Sequence, residues 1–85
     1  MNDLHIIEVE WIDSCSLQEN RDVLVGEAMS LRPQITKNIG YLLADDEEFL
    51  LIAGGLVPSR EQVDYPLAIP RVAVRAVRRL QPRGK

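Results

Sequence analysis

The sequence predicts an all-β domain with one short helix, and two observations carry that prediction. The first is the stretch from Ile39 to Ala53, in which two runs of branched and aromatic residues flank four consecutive acids, Asp45 to Glu48. Four like charges cannot enter a core unpaired, so they mark an exposed turn. The flanking runs have strand length and are too short for two helices. They read as a β-hairpin with strands near 36–44 and 49–54. The second observation is alternation at both ends of the chain. Ile7, Val9 and Trp11 share one face of an extended segment, with Glu8 and Glu10 on the other. Val63, Tyr65, Leu67 and Ile69 share a face near the C-terminus.

The hairpin carries more apolar surface than one face can hold. Ile39, Tyr41 and Leu43 point one way on the first strand, and Leu42 and Ala44 the other. Phe49, Leu51 and Ala53 oppose Leu50 and Ile52 on the second. A half-solvated sheet would show polar residues on one side. The second face is therefore expected to meet another part of the chain or another subunit.

Length and composition set the frame. At 85 residues the chain is read as a single small domain over 1–85, with 14–35 a long loop or short helical insertion and 81–85 a basic tail. A chain this short buries only about 60–65% of its unfolded surface, so a thin core is expected. A hydrophobic content of 46% argues against disorder. No apolar run approaches the roughly 20 residues that span a bilayer. The start Met1-Asn2-Asp3 lacks the basic and apolar blocks of a signal peptide, and Cys15 is the single cysteine. These features lead to the expectation of a cytoplasmic protein. The net charge of −3 hides an asymmetry: all 13 acids lie at or before Asp64, with four of the ten bases, while six bases and no acid follow. Such polarity suggests a basic tail seeking an anion, or two complementary surfaces of a self-assembling molecule.

The remaining elements follow in order. Residues 4–13 read as the first strand, with Trp11 a core anchor whose indole N–H needs a partner. Ser16-Leu17-Gln18-Glu19 fits a capping box and places a short helix within 17–30, ended before Pro33. Gly54-Gly55 signals a turn, and 56–62 reads as a loop. Residues 63–69 form a further strand; Pro66 lacks an N–H and confines it to an edge or a bulge. The last segment supports two readings. Ile69, Val72, Ala73, Ala76, Val77 and Leu80 fall at helical spacing, with Arg71, Arg75, Arg78 and Arg79 on a basic face. The competing reading is a one-turn connection at 70–73 followed by a strand at 74–80, favoured by Val72, Val74 and Val77.

Catalytic and metal chemistry find little footing. His5 stands alone without a second histidine or cysteine pair at metal spacing. Cys15 has no base placed beside it and reads as a structural thiol. Gly54-Gly55 is not followed by the Lys-Ser or Lys-Thr of a phosphate loop. The acids at 45–48 sit on an exposed turn, where nothing raises a carboxyl pKa for acid–base work. The expectation is a non-enzyme without cofactor or metal.

The order strand, long loop, hairpin, strand, short turn, strand suggests a five-stranded small barrel. Gly40-Tyr41-Leu42 with Asp46 six residues after the glycine, then Phe49-Leu50-Leu51-Ile52, resembles the first signature of the Sm-like family. Ile69-Pro70-Arg71-Val72-Ala73-Val74-Arg75-Ala76-Val77 is similar to its second signature. With Val9 to Asp13, the whole resembles small phage- or prophage-encoded members. The resemblance covers roughly 36–80 and favours the final strand over the helix. It implies a strongly bent sheet in an Sm-like barrel, and a closed ring of identical subunits joined by edge strands, with Tyr65, Leu67, Val74 and Val77 at the interface. In RNA-binding relatives of this type, a stacking side chain, an asparagine and an arginine hold a base. Those places fall on Glu48, Leu50 and Pro70 here, and the four acids repel a phosphate chain. The expected function is a homo-oligomeric, ring-forming structural or adaptor protein of phage type. The alternative is an RNA- or DNA-binding protein using Arg71, Arg75, Arg78 and Arg79, with Arg83 in support.

Overall fold

The computed structural model describes residues 4–14 and 22–81. The elements are β1 (Ile6–Asp13), a four-residue helix α1 (Val25–Ala28), β2 (Gln34–Asp45), β3 (Phe49–Val57), a 3-10 turn (Pro58–Arg60), β4 (Gln62–Pro70), a second 3-10 turn (Arg71–Ala73) and β5 (Val74–Leu80). All strand pairs are antiparallel, in the order β4-β3-β2-β1-β5. The chain is thus mostly β-sheet with one short helix. No helix among the described residues is long and apolar enough to cross a membrane.

The last segment is strand. Its helical spacing is a local signal, and it loses to six pairs with Ile6–Trp11 of β1. Pro66 lies on β4, which is an edge. α1 falls inside the expected window, but its N-cap is Leu24, without a side-chain cap bond. The capping box Ser16–Glu19 and Cys15 lie outside the described residues.

Three expectations need correction. Gly54-Gly55 is not a turn, and the loop expected over 56–62 is confined to the 3-10 turn Pro58–Arg60 and Glu61. β3 runs through both glycines to Val57, and Gly55, Leu56 and Val57 pair with Asp64, Val63 and Gln62. A Cβ on Gly54 or Gly55 would meet Tyr65 or Asp64 at 3.4 Å, an ordinary contact. Second, Tyr65 leaves the face it was expected to share with Leu67 and Ile69. Its φ of 51° puts it in the left-handed region and it is 86% exposed, while Ile69 is fully buried. Third, the β2–β3 alternation slips. A register shift between Leu42 and Ala44 puts an extra residue in β2.

The core is Ile7 and Val9 of β1, Leu50, Ile52 and Ala53 of β3, and Ile69 of β4. Trp11, Leu42, Leu67 and Val74 pack against it. A flat single sheet has no second layer to bury such residues. The sheet must curl over itself, and chain connectivity says so independently. The edges of a flat five-stranded sheet stand about 19 Å apart. β4 ends at Pro70 and β5 starts at Val74, and a 3-10 turn of that length advances only about 8 Å. The two edges therefore come together at this end. Gly40, buried in β2, marks a close backbone approach: a Cβ there would lie 2.7 Å from the Ala53 carbonyl oxygen. β4 and β5 do not pair, so the sheet is curled without being closed into a barrel.

The curl leaves much apolar surface outside. The radius of gyration is 16.6 Å, against roughly 12 Å for a compact chain of this length. Ile12 and Ile35, a facing pair at the far end of the β1–β2 ribbon, are exposed, as are Leu24, Val25 and Met29 around α1.

Candidate functional site

The four-acid turn is an organised structure. Asp46 accepts hydrogen bonds on its carboxylate from the backbone N–H groups of Glu48 (2.8 Å) and Phe49 (3.0 Å), which closes the turn. Arg71 then stitches the β4–β5 connection onto it. Its Nε donates to the Asp46 carbonyl at 2.9 Å, its guanidinium pairs with the Asp45 carboxylate, and its backbone N–H donates to the Glu48 carbonyl at 2.9 Å. Glu47 and Glu48 stay exposed.

The other arginines divide by face. Arg78 reaches Glu8 at 3.4 Å, and Arg75 and Lys37 both approach Glu10, at 3.9 and 3.8 Å. Arg78, Lys37, Glu8 and Glu10, with Ala76, line a shallow cleft on the sheet face opposite the core. Exposed pairs of this kind contribute about 0–1 kcal/mol each, but they neutralise charge. Of the four arginines singled out from sequence, Arg79 alone forms no ion pair among the described residues; it borders a second cleft with His5 and Gln81. Three of the four arginines thus meet acids of the same chain, which lowers the positive charge they offer a phosphate backbone. No group of three or more His, Cys, Asp or Glu among the described residues is placed to hold a metal.

The four expected interface residues also divide. Leu67 and Val74 are half-buried against the core, whereas Tyr65 and Val77 are exposed, at 86% and 45%. Trp11 is the core anchor expected of it, with its indole N–H bonded to Asn38 Oδ1 at 2.8 Å.

No family model, curated protein or solved structure matches this chain. Function must therefore be argued from the geometry of the sheet, and in particular from its two edges.

Two backbone bonds fix which groups each edge presents. Arg71 N–H to Glu48 C=O is in register with the Phe49–Pro70 pair. Bonded and non-bonded pairs alternate in an antiparallel ladder. Residues 67 and 69 of β4 therefore turn their backbone groups to β3, and Pro66, Ala68 and Pro70 turn theirs outward. On the other side, Leu42 N–H donates to His5 C=O at 2.8 Å, in register with Ile6–Tyr41. The odd residues of β1 thus bond β2, and Ile6, Glu8 and Glu10 bond their partners Leu80, Arg78 and Ala76 of β5. Val77 and Arg79 turn their N–H and C=O groups to the open edge. Sequence reading marked Pro66 as an edge residue but missed this parity, whose signal is the four-residue spacing of Pro66 and Pro70.

Proposed function

We propose that this chain is a non-enzymatic structural or adaptor subunit that assembles with copies of itself through β4 and β5 into a closed ring, as in the small-barrel Sm-like proteins of phage type that it resembles. The single observation behind this reading is that, among the described residues, neither edge strand of the sheet pairs with a further strand. Unpaired strand edges attract further strands, and these edges carry exposed Tyr65 and Val77. A head-to-tail contact between unlike edges closes into a ring when the rotation per subunit divides a full turn. The opposite charge of the chain's two ends adds little support, because Arg71, Arg75 and Arg78 already meet acids of the same chain. A neighbouring strand on either edge would also complete the curl that a single chain leaves open. Light scattering on the full chain at micromolar concentration tests the reading. A discrete mass several times that of one chain is expected, and the mass of a single chain would refute it.

A further inference from the structure

The two edges differ in a way that decides what each accepts. The outward residues at the regular end of β4 are Pro66, Ala68 and Pro70, so that stretch presents three carbonyls and a single N–H, that of Ala68. Proline costs the sheet nothing at these positions, because the missing N–H would have pointed away from β3. Just before them, the left-handed Tyr65 interrupts the extended run. β5 has no proline, and its outward Val77 and Arg79 each present an N–H and a carbonyl.

We infer that Pro66 and Pro70 are specificity residues, which bar β4 from pairing with a second β4 and leave it open to the β5 edge of another copy. Two β4 strands related by a two-fold axis at Ala68 set Pro66 against Pro70 on each side, where no N–H is available to either carbonyl. Only the Ala68 pair bonds. Against an antiparallel β5 with Ala68 opposite Val77, Ala68 makes both its bonds and the Pro66 carbonyl receives the N–H of Arg79, while Pro70 falls opposite Arg75 at the irregular start of β5. β5 in turn avoids itself by charge. A two-fold axis at Arg78 puts Arg78 opposite itself, and like charges directly across a ladder are unfavourable. Each edge is poor for its own kind and compatible with the other, which selects a head-to-tail contact over a two-fold dimer. This inference rests on the assembly reading for its partner, but its core, the exclusion of β4 by β4, can be tested alone.

The experiment uses the full chain with Cys15→Ser and Ala68→Cys under oxidising conditions. Across a bonded antiparallel pair the Cα atoms are about 5.5 Å apart, within disulfide range, so β4–β4 pairing at this register is trapped as a covalent dimer. With both prolines present, such dimers are expected only in trace. Adding Pro66→Ala and Pro70→Ala is expected to raise their yield about tenfold, as restored backbone bonds imply. The single changes Pro66→Ala and Pro70→Ala should each give part of the increase, and circular dichroism confirms that each variant keeps its sheet. Abundant dimer with both prolines in place would overturn the inference, and so would an unchanged low yield in folded proline-free variants. Loss of the assembly reading would appear instead as a single-chain mass for the unmodified protein, whatever the cross-linking shows.

Discussion

β4 and β5 are the two edges of one sheet, joined by only three residues, and they are built in opposite ways. β4 turns two prolines outward and carries a tyrosine in a left-handed conformation. β5 has no proline, is regularly paired with β1 from Ala76 to Leu80, and carries Arg75, Arg78 and Arg79. The difference teaches that an edge is defined by parity more than by composition. Shifting either proline by one residue would place it against β3 and remove a ladder bond. Arg78 and Arg79 are neighbours in sequence, yet one is paired with Glu8 and the other borders a different cleft.

The comparison can be broken most forcefully with proline itself. Ala76 turns its N–H to β1, so Ala76→Pro removes that bond and strands the facing carbonyl. A loss of about 2–4 kcal/mol in urea unfolding is expected. Val77→Pro, one residue on, should cost under about 1 kcal/mol and keep the sheet, while abolishing the assembled species in light scattering. Equal destabilisation by the two changes would contradict the parity assigned to β5.

Arg71 ties together the end at which the two edges meet. Arg71→Ala removes the link to Asp45 and the bond to the Asp46 carbonyl, and should destabilise by about 1–2 kcal/mol. Amide hydrogen exchange should quicken around 46–49 and 71–74 and leave the middle of β1 protected. Uniform loss of protection would show that Arg71 acts on the whole sheet rather than on this junction.

Tyr65 separates stability from assembly. Its left-handed backbone suits glycine, so Tyr65→Gly is expected to raise the melting temperature of the subunit by the equivalent of about 1 kcal/mol. The same change should weaken assembly, since it removes the exposed ring from the β4 edge. A less stable subunit would mean that the ring, which lies against Gly54, contributes more to the fold than the backbone strain costs.

The smallest effect is expected on the paired face. Arg78→Gln should alter stability by no more than about 0.5 kcal/mol and do so only at low salt.

Much of this architecture is legible in the sequence, for identifiable reasons. The Asp45–Glu48 turn announces itself because four acids have no alternative to solvent. Ile7, Val9 and Trp11 alternate with Glu8 and Glu10, and the strand they imply is there. What escapes local reading depends on a partner strand. Val74–Leu80 spaces its aliphatics like a helix and becomes a strand through β1. Gly54-Gly55 looks like a turn and is strand because β4 pairs with β3 on either side of Gly54, at Ala53 and from Gly55 to Val57. Arg71 looks like one of a basic row, and its role appears only once the turn is folded beside it. The site was half visible: Pro66 as an edge residue could be read directly, whereas the shared parity of Pro66 and Pro70 requires the register of β4 on β3.

The central claim is that the open β5 edge is completed by another copy. The most direct measurement is light scattering of the unmodified chain beside Val77→Pro, at matched micromolar concentration, with circular dichroism to establish that both are folded. A discrete multiple of the chain mass is expected for the first, and a single folded chain for the second. A single-chain mass for both, or an undiminished oligomer in Val77→Pro, would contradict it.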